Sequence, residues 1–190
     1  YLFSNSNFNL NISSWNISNV ENISNMFYQN STFNQDISGW TTSSVTDMSG
    51  MFNGAELFDA DISGWTTNSV TDMSSMFKDA IAFDKNLIPS SNVWNTSSVT
   101  DMNNMFNGAS VFTGDISGWT TSSVMDMNGM FNGASAFNTD ISGWTTSSVT
   151  DMNGMFKDAI AFDINLITSS NVWNTSSVTD MNNMFNGASV

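Results

Sequence analysis

The residues of this chain that could do chemistry are almost all carboxylates. Its 190 residues include 17 Asp and Glu against three Lys, with no Arg, His or Cys. Nucleophilic catalysis usually needs a base beside the nucleophile, and neither histidine nor cysteine is present to serve. Zinc and copper sites lack their nitrogen and sulfur ligands for the same reason. Phosphate handling is disfavoured without arginine or a glycine-rich phosphate loop. Carboxylate chemistry remains: acid–base pairs of the kind that hydrolyse glycosides, or oxygen-only coordination of a hard cation. Every well-placed Asp recurs down the chain, whereas an active site is normally unique, so no enzyme activity is expected of this segment.

The acids fall into two columns. One contains Asp47, Asp72, Asp101, Asp126, Asp151 and Asp180, with Asn22 at its head. The expected role here is capping of short helices, where a carboxylate accepts from free N–H groups and meets the positive end of the helix dipole. The other contains Asn11, Asp36, Asp61, Asn86, Asp115, Asp140 and Asn165. It is expected on a strand face, one residue per coil, with Asn interrupting the like-charge series at every third coil. Asp59, Asp84 and Asp163 stand two residues earlier and extend that face. Together with Ser38, Ser63, Ser117 and Ser142, this second column is the expected partner-binding surface. Asp36, Asp61, Asp115 and Asp140 are its candidate ligands for weakly bound calcium, since oxygen clusters suit hard cations. The competing reading is a solvated, salt-screened surface.

The elements that position these columns are set by a repeat, which is sought before any other feature. The tryptophans at 15, 40, 65, 94, 119, 144 and 173 are spaced 25, 25, 29, 25, 25 and 29 residues apart. Three coils thus sum to a 79-residue unit, and residues 65–111 match residues 144–190 at 42 of 47 positions. This arrangement predicts a solenoid of about seven coils over 1–190. Both ends fall inside a coil, with Tyr1-Leu2 aligned on Met26-Phe27, and neither carries the polar cap such arrays use. The expectation is a window from a longer array.

Within the coil at 40–64, Val45, Met48, Met51 and Phe52 recur at helical spacing, which predicts a short helix. Ser44, three residues before Asp47, gives a capping-box spacing. Gly54, replaced by Asp79 and Asp158 in other copies, marks a left-handed end to that helix. The segment FDADISGW predicts a short strand with Ile62 inward and Asp61 and Ser63 outward, paired in parallel with its neighbours. The four extra residues of the longer coils, around Pro89 in one and Thr168 in the other, predict a bulging loop. The Phe, Met, Ile and Trp positions form the expected core, with Met tolerating imperfect register.

These residues carry a resemblance. The motif F-N-x-D-I-S-G-W-x-T-S-S-V-T-D-M-S-x-M-F-x-G-A, clearest at 33–58, 58–83 and 112–162, resembles the BspA-like leucine-rich-repeat surface proteins, a repeat also known from mycoplasma surface lipoproteins. The first coil departs most, with N-I-S-N-M at 22–26 and Ser14 in place of glycine. The resemblance implies a leucine-rich-repeat-type α/β solenoid, short parallel strands on one face and short helices or 3-10 turns on the other. It also implies a secreted or surface-displayed protein of adhesion or cell contact, with no catalytic residues to carry over.

Other features point to partners. A formal charge of −14 argues against nucleic acid and anionic membranes. No apolar run is long enough to span a bilayer. A protein or glycan partner at a surface, or self-association into a fibre, is the expected use, with no cofactor beyond the calcium already named. The pairs Thr41-Thr42, Thr66-Thr67, Thr120-Thr121 and Thr145-Thr146 could make an ice-binding ladder, although a turn after tryptophan is a simpler use for them. N-x-S/T sequons occur at Asn11, Asn16, Asn22, Asn30, Asn95 and Asn174. Asn95 and Asn174, equivalent positions beside the inserted loop, are the candidate glycosylation sites.

Overall fold

A computed structural model describes residues 1–87, 94–168 and 173–189. The Trp-to-Trp repeat appears in it as coil-on-coil hydrogen bonding. Parallel bridges join Asn22 to Asp47, Asp47 to Asp72, Asp72 to Asp101, and so on through Asp126 and Asp151 to Asp180. Each bridge links residues one repeat apart, so a coil pairs with the coils before and after it in the chain.

The half of the coil expected to be helical is not a helix. The one α-helix among the described residues is α1, Asn165–Thr168, in the second long coil. The reason lies in the backbone. Two residues per coil adopt left-handed φ, four positions apart, such as Gly50 at 58° and Gly54 at 71°. A right-handed helix cannot pass through such residues. The left-handed conformation expected at Gly54, Asp79 and Asp158 is present, at 71°, 56° and 56°, but it belongs to a turn and not to a helix end. The second left-handed column, Asn25, Gly50, Ser75, Asn104, Gly129, Gly154 and Asn183, has no single residue type to betray it.

What the segment builds instead is an alternation. The N–H groups of Met48, Gly50, Phe52 and Gly54 donate to the next coil, at Asp72, Ser74, Met76 and Lys78 carbonyls, over 2.7–3.0 Å. The N–H groups of Met51, Asn53 and Ala55 instead close local turns onto the carbonyls three residues back, at 3.0–3.2 Å. Thr46 and Asp47 donate to the Glu21 carbonyl of the preceding coil. Ser49 donates to the Asp47 side chain, at 2.9 Å. Every amide from 46 to 55 is therefore partnered, as burial of Met48, Met51 and Phe52 demands. Turns that alternate with bridges send the same apolar positions inward as a helix would.

The half expected to be a strand keeps its alternation, with Ile62 buried and Asp61 exposed, but among the described residues it carries no bridge. Its coil-to-coil bonds come mostly from side chains. The Asn34 Oδ1 accepts the Asp59 N–H at 2.9 Å, and the Asp59 Oδ1 accepts that of Asp84 at 3.1 Å. Asp84 accepts from Thr113 and Asn138 from Asp163 in the same manner. Buried Thr42, Thr67, Thr96, Thr121 and Thr146 donate their hydroxyls to the next coil's backbone at 2.9–3.0 Å. The Trp40, Trp65, Trp94, Trp144 and Trp173 indoles donate to the preceding coil's Ile carbonyls, at 3.1–3.2 Å.

Three aromatic columns fill the centre. Phe52 and Phe77 stand 5.8 Å apart between coils, and Phe52 and Phe58 stack at 3.7 Å within one. The Trp94 and Trp119 rings lie 6.2 Å apart and nearly parallel. Such pairs add about 0.5–1.5 kcal/mol each beyond the area they bury. Trp119 is the exception in its hydrogen bonding, for its buried Nε1 has no partner. In regular coils the acceptor carbonyl, Ile62 for example, is held in place by a turn to the Trp65 N–H at 3.1 Å. The residues that follow Leu87, the counterpart of Ile62, lie outside the described residues, and the Leu87 N–H donates to the Asp115 carbonyl at 3.2 Å.

One further expectation needs adjusting, and another falls outside the described residues. The first coil is one residue out of the expected register: Phe3, not Leu2, donates upward as Phe27 does, to the Met26 carbonyl at 2.9 Å. Phe3 then stacks on Phe8 at 3.7 Å, as Phe27 does on Phe33. The loop at 88–93, with Pro89, and residues 169–172 of its counterpart lie outside the described residues.

Candidate functional site: the two acidic columns

Both columns use the same local chemistry. An Asp or Asn accepts, through one side-chain oxygen, the N–H two residues on, which is the turn these residues favour. Asp36 accepts from the Ser38 N–H at 2.9 Å and its hydroxyl at 2.7 Å. Asp61, Asp115 and Asp140 hold the Ser63, Ser117 and Ser142 amides at 2.9 Å. Asp47, Asp72, Asp101, Asp126, Asp151 and Asp180 do likewise for residues 49, 74, 103, 128, 153 and 182, at 2.8–2.9 Å. The helix-capping role expected of this column is therefore replaced by a turn, and Ser44 donates to the Ser18 carbonyl at 2.7 Å instead of completing a capping box.

The columns differ in neighbours. It is the Asp47 column, not the Asp36 column, that lies on the parallel bridges, so its carboxylates stack one coil apart. Amides relieve part of the repulsion. Asn22 Nδ2 reaches Asp47 at 2.8 Å and Asn153 Nδ2 reaches Asp180 at 3.2 Å. Asp126, flanked on both sides, has its pKa raised by burial and, less strongly, by the Asp101 and Asp151 carboxylates. Asp180, at the end of the row, is lowered by the Asn182 N–H and the Asn153 amide.

The Asp36 column is the more open one. Asp36, Asp61, Asp115 and Asp140 are exposed, whereas the six aspartates of the Asp47 column are half-buried. The Ser38 hydroxyl and N–H lower the Asp36 pKa, and those of Ser63 lower that of Asp61, with smaller help from Lys85. Asp140 is lowered by the Ser142 backbone and hydroxyl. Hydrogen bonds to the charged form thus hold these acids ionised, each with one oxygen turned to the backbone.

Asn34, Asp36, Ser38, Asp59, Ala60 and Asp61 surround a shallow cleft of about 460 Å³. It brings two of the candidate calcium ligands, Asp36 and Asp61, to one place. Asp115 and Asp140 lie further along the stack, beyond Asn86, whose Oδ1 accepts the Asp115 N–H at 2.9 Å. Lys85 forms an ion pair with Asp59 at the cleft. Among the described residues, no group of three or more acidic side chains is placed to hold a metal ion. The remaining residues of the expected face, Asp84, Asp163 and Asn165, are exposed, and Asp163 Oδ1 accepts both the N–H and Nδ2 of Asn165.

The role of Asp59, Asp84 and Asp163 was not legible as mere added charge. Asp59 and Asp84 receive the next coil's amide, and Asp163 is tied to Asn138 by its own. The signal was available in the recurrence of Asn or Asp at 9, 34, 59, 84, 138 and 163. These side chains place an acceptor oxygen where a neighbouring backbone can reach it.

The threonine pairs divide. Thr42, Thr67, Thr121 and Thr146 are buried donors, which leaves a surface file only one residue wide at Thr41, Thr66, Thr120 and Thr145. Of the sequons, Asn30 is fully buried with its Nδ2 on the Phe8 carbonyl at 2.9 Å, so it cannot accept a glycan in this fold. Asn174 is exposed and Asn95 half-buried, each with Oδ1 on the N–H two residues on.

Among the described residues no helix is long and apolar enough to cross a membrane. No curated protein and no solved structure matches the chain. A family model described as "Mycoplasma protein of unknown function, DUF285" matches it twice, over residues 1–93 and 87–190. The two matches cover the chain from end to end, and it belongs to that mycoplasma family.

Proposed function

We propose that this chain is part of a non-catalytic, extracellular or surface-displayed solenoid of the BspA-like, leucine-rich-repeat type, and that it acts in adhesion through the Asp36 column. The observation that carries the proposal is the open row of carboxylates at Asp36, Asp61, Asp115 and Asp140. Each is fixed by a turn through one oxygen, which leaves the other to meet a protein or glycan. Rows of identical, pre-oriented acceptors suit a repetitive partner, because weak contacts multiply along the stack. A stalk or fibre component uses the same coils without that face.

The test is binding of the fluorescently labelled chain to arrays of extracellular-matrix proteins and glycans. Saturable binding that is lost on replacing Asp61, Asp115 and Asp140 together by Asn supports the adhesive reading. Binding that survives the triple replacement, or no binding to any array element, contradicts it.

The cleft shared by Asp36 and Asp61 favours a second reading, a spacer stiffened by weakly bound calcium. Millimolar calcium would then raise the melting temperature of the wild-type chain but not of the Asp36→Asn, Asp61→Asn variant. Equal behaviour of the two removes it.

A further inference from the structure

Beside the second Phe column runs a stripe that neither acidic column explains. Leu57, Ile81, Val111 and Ile160 are 57%, 45%, 44% and 56% exposed, and each lies one or two residues before a buried Phe. Those phenylalanines, Phe58, Phe83, Phe112, Phe137 and Phe162, stack at 5.8–6.2 Å per step, so the stripe climbs the molecule at the same step. At the fourth of the five levels Ala136 takes the place of a large residue. An apolar file repeated at one corner is unlike scattered surface leucines and marks an interaction surface.

Charge indicates the occupant. The chain carries −14 overall, yet two of its three lysines, Lys78 and Lys157, lie three residues before Ile81 and Ile160. Asp79 and Asp158 stand beside these lysines, so the charges along the stripe nearly balance within an acidic molecule, and a second copy meets little repulsion there. Glu56 precedes Leu57 at one end, and Lys157, its side chain 42% exposed and 4.0 Å from Asp158, stands at the other. We infer that the stripe pairs two copies of this chain side by side and antiparallel. A two-fold axis at Val111 sets Leu57 against Ile160 of the second copy, and Ile81 against the small Ala136. It also places Glu56 opposite the second copy's Lys157 at both ends. A parallel arrangement would set like charges together. Both copies share one step, so a match at the axis holds along the whole stripe. The pairing uses a different surface from the Asp36 column and does not rest on the adhesive reading.

Sedimentation velocity of the 190-residue chain over about 1–100 µM tests it. The expected species has twice the 20.7 kDa of the chain. Ile160→Asp and, at the other end, Leu57→Asp should each weaken association by about tenfold or more, with the near-UV circular dichroism of the Trp columns unchanged. Lys157→Glu should weaken it, and Glu56→Lys added to Lys157→Glu should restore it. Monomer at every concentration overturns the inference. So does a series of masses beyond the dimer, a dimer indifferent to both aspartates, or failure of the double reversal to recover what the single one loses.

Discussion

The two halves of each coil solve the same problem by different means. From 46 to 55 the main chain holds coil to coil: Thr46 and Asp47 bond to the coil before, alternate amides from 48 to 54 cross to the next coil, and the rest close turns. From 58 to 67 the work falls largely to side chains: Asn34 and Asp59 to the next coil's amides, Thr67 to a carbonyl, Trp65 to the coil below. Apart from Asp47 and its equivalents, whose side chains hold the amide two residues on, the first half can vary its outward residues, because its bonds between coils are made by the backbone. The second half has its sequence fixed by its bonds, and its remaining outward oxygens belong to a rigid row. That difference is why the candidate binding face lies there.

The comparison can be broken most forcefully at the core both halves share. Phe106→Ala empties a fully buried ring stacked on Phe77, Phe112 and Phe131, and should cost about 3–5 kcal/mol in urea unfolding. A loss under about 1 kcal/mol would mean the columns are not packed as described. A smaller effect is expected in the side-chain half. Thr67→Val keeps the shape but strands the Asn95 carbonyl, now bonded at 3.0 Å, for about 1–3 kcal/mol. In the main-chain half, Gly133→Ala tests left-handed geometry without a collision, since a Cβ there meets only Gly108 backbone at 3.7 Å. With φ at 70°, it should cost about 1–2 kcal/mol.

The smallest effects are electrostatic, and they have opposite signs at Asp36 and Asp126. Asp36 has a pKa lowered from 3.8, so its turn stabilises the fold above that value and is lost as pH falls through the lower folded value. Asp126 is raised, so its contribution is fully present below the unfolded value and is lost as pH rises through the folded one. At pH 7, Asp126→Asn should therefore raise the melting temperature slightly and Asp36→Asn lower it. Both differences should shrink in scans below about pH 4. Shifts of the same sign would show that the two sites do not differ as described.

Much of this was legible in the residues. The Trp spacing gave the coil lengths, and every Met, Phe and Val of the expected core from 45 to 162 is buried. Ile62 inward and Asp61 outward are as the alternation requires. The assignment of the halves was not legible, because apolar residues at i, i+3, i+6 and i+7 fit alternating turns as well as a helix. The deciding residue is the left-handed position at Gly50, and it is occupied by Asn25, Ser75 and Asn104 in other coils. Nothing in such a mixture announces positive φ. The acceptor row at 34, 59 and 84 was visible as a pattern of Asn and Asp, but its bond to the next coil requires knowing which coil lies above.

Residue-resolved amide hydrogen exchange tests the division of labour most directly. The account predicts slow exchange at Met48, Gly50, Phe52, Gly54 and their counterparts 25 or 29 residues on, with the turn amides between them faster. In the other half, Asp59 should be protected, and Asn34→Ala should release that amide alone. Uninterrupted helix-like protection across 46–55, or a protected run through 58–64 that Asn34→Ala leaves intact, would contradict it.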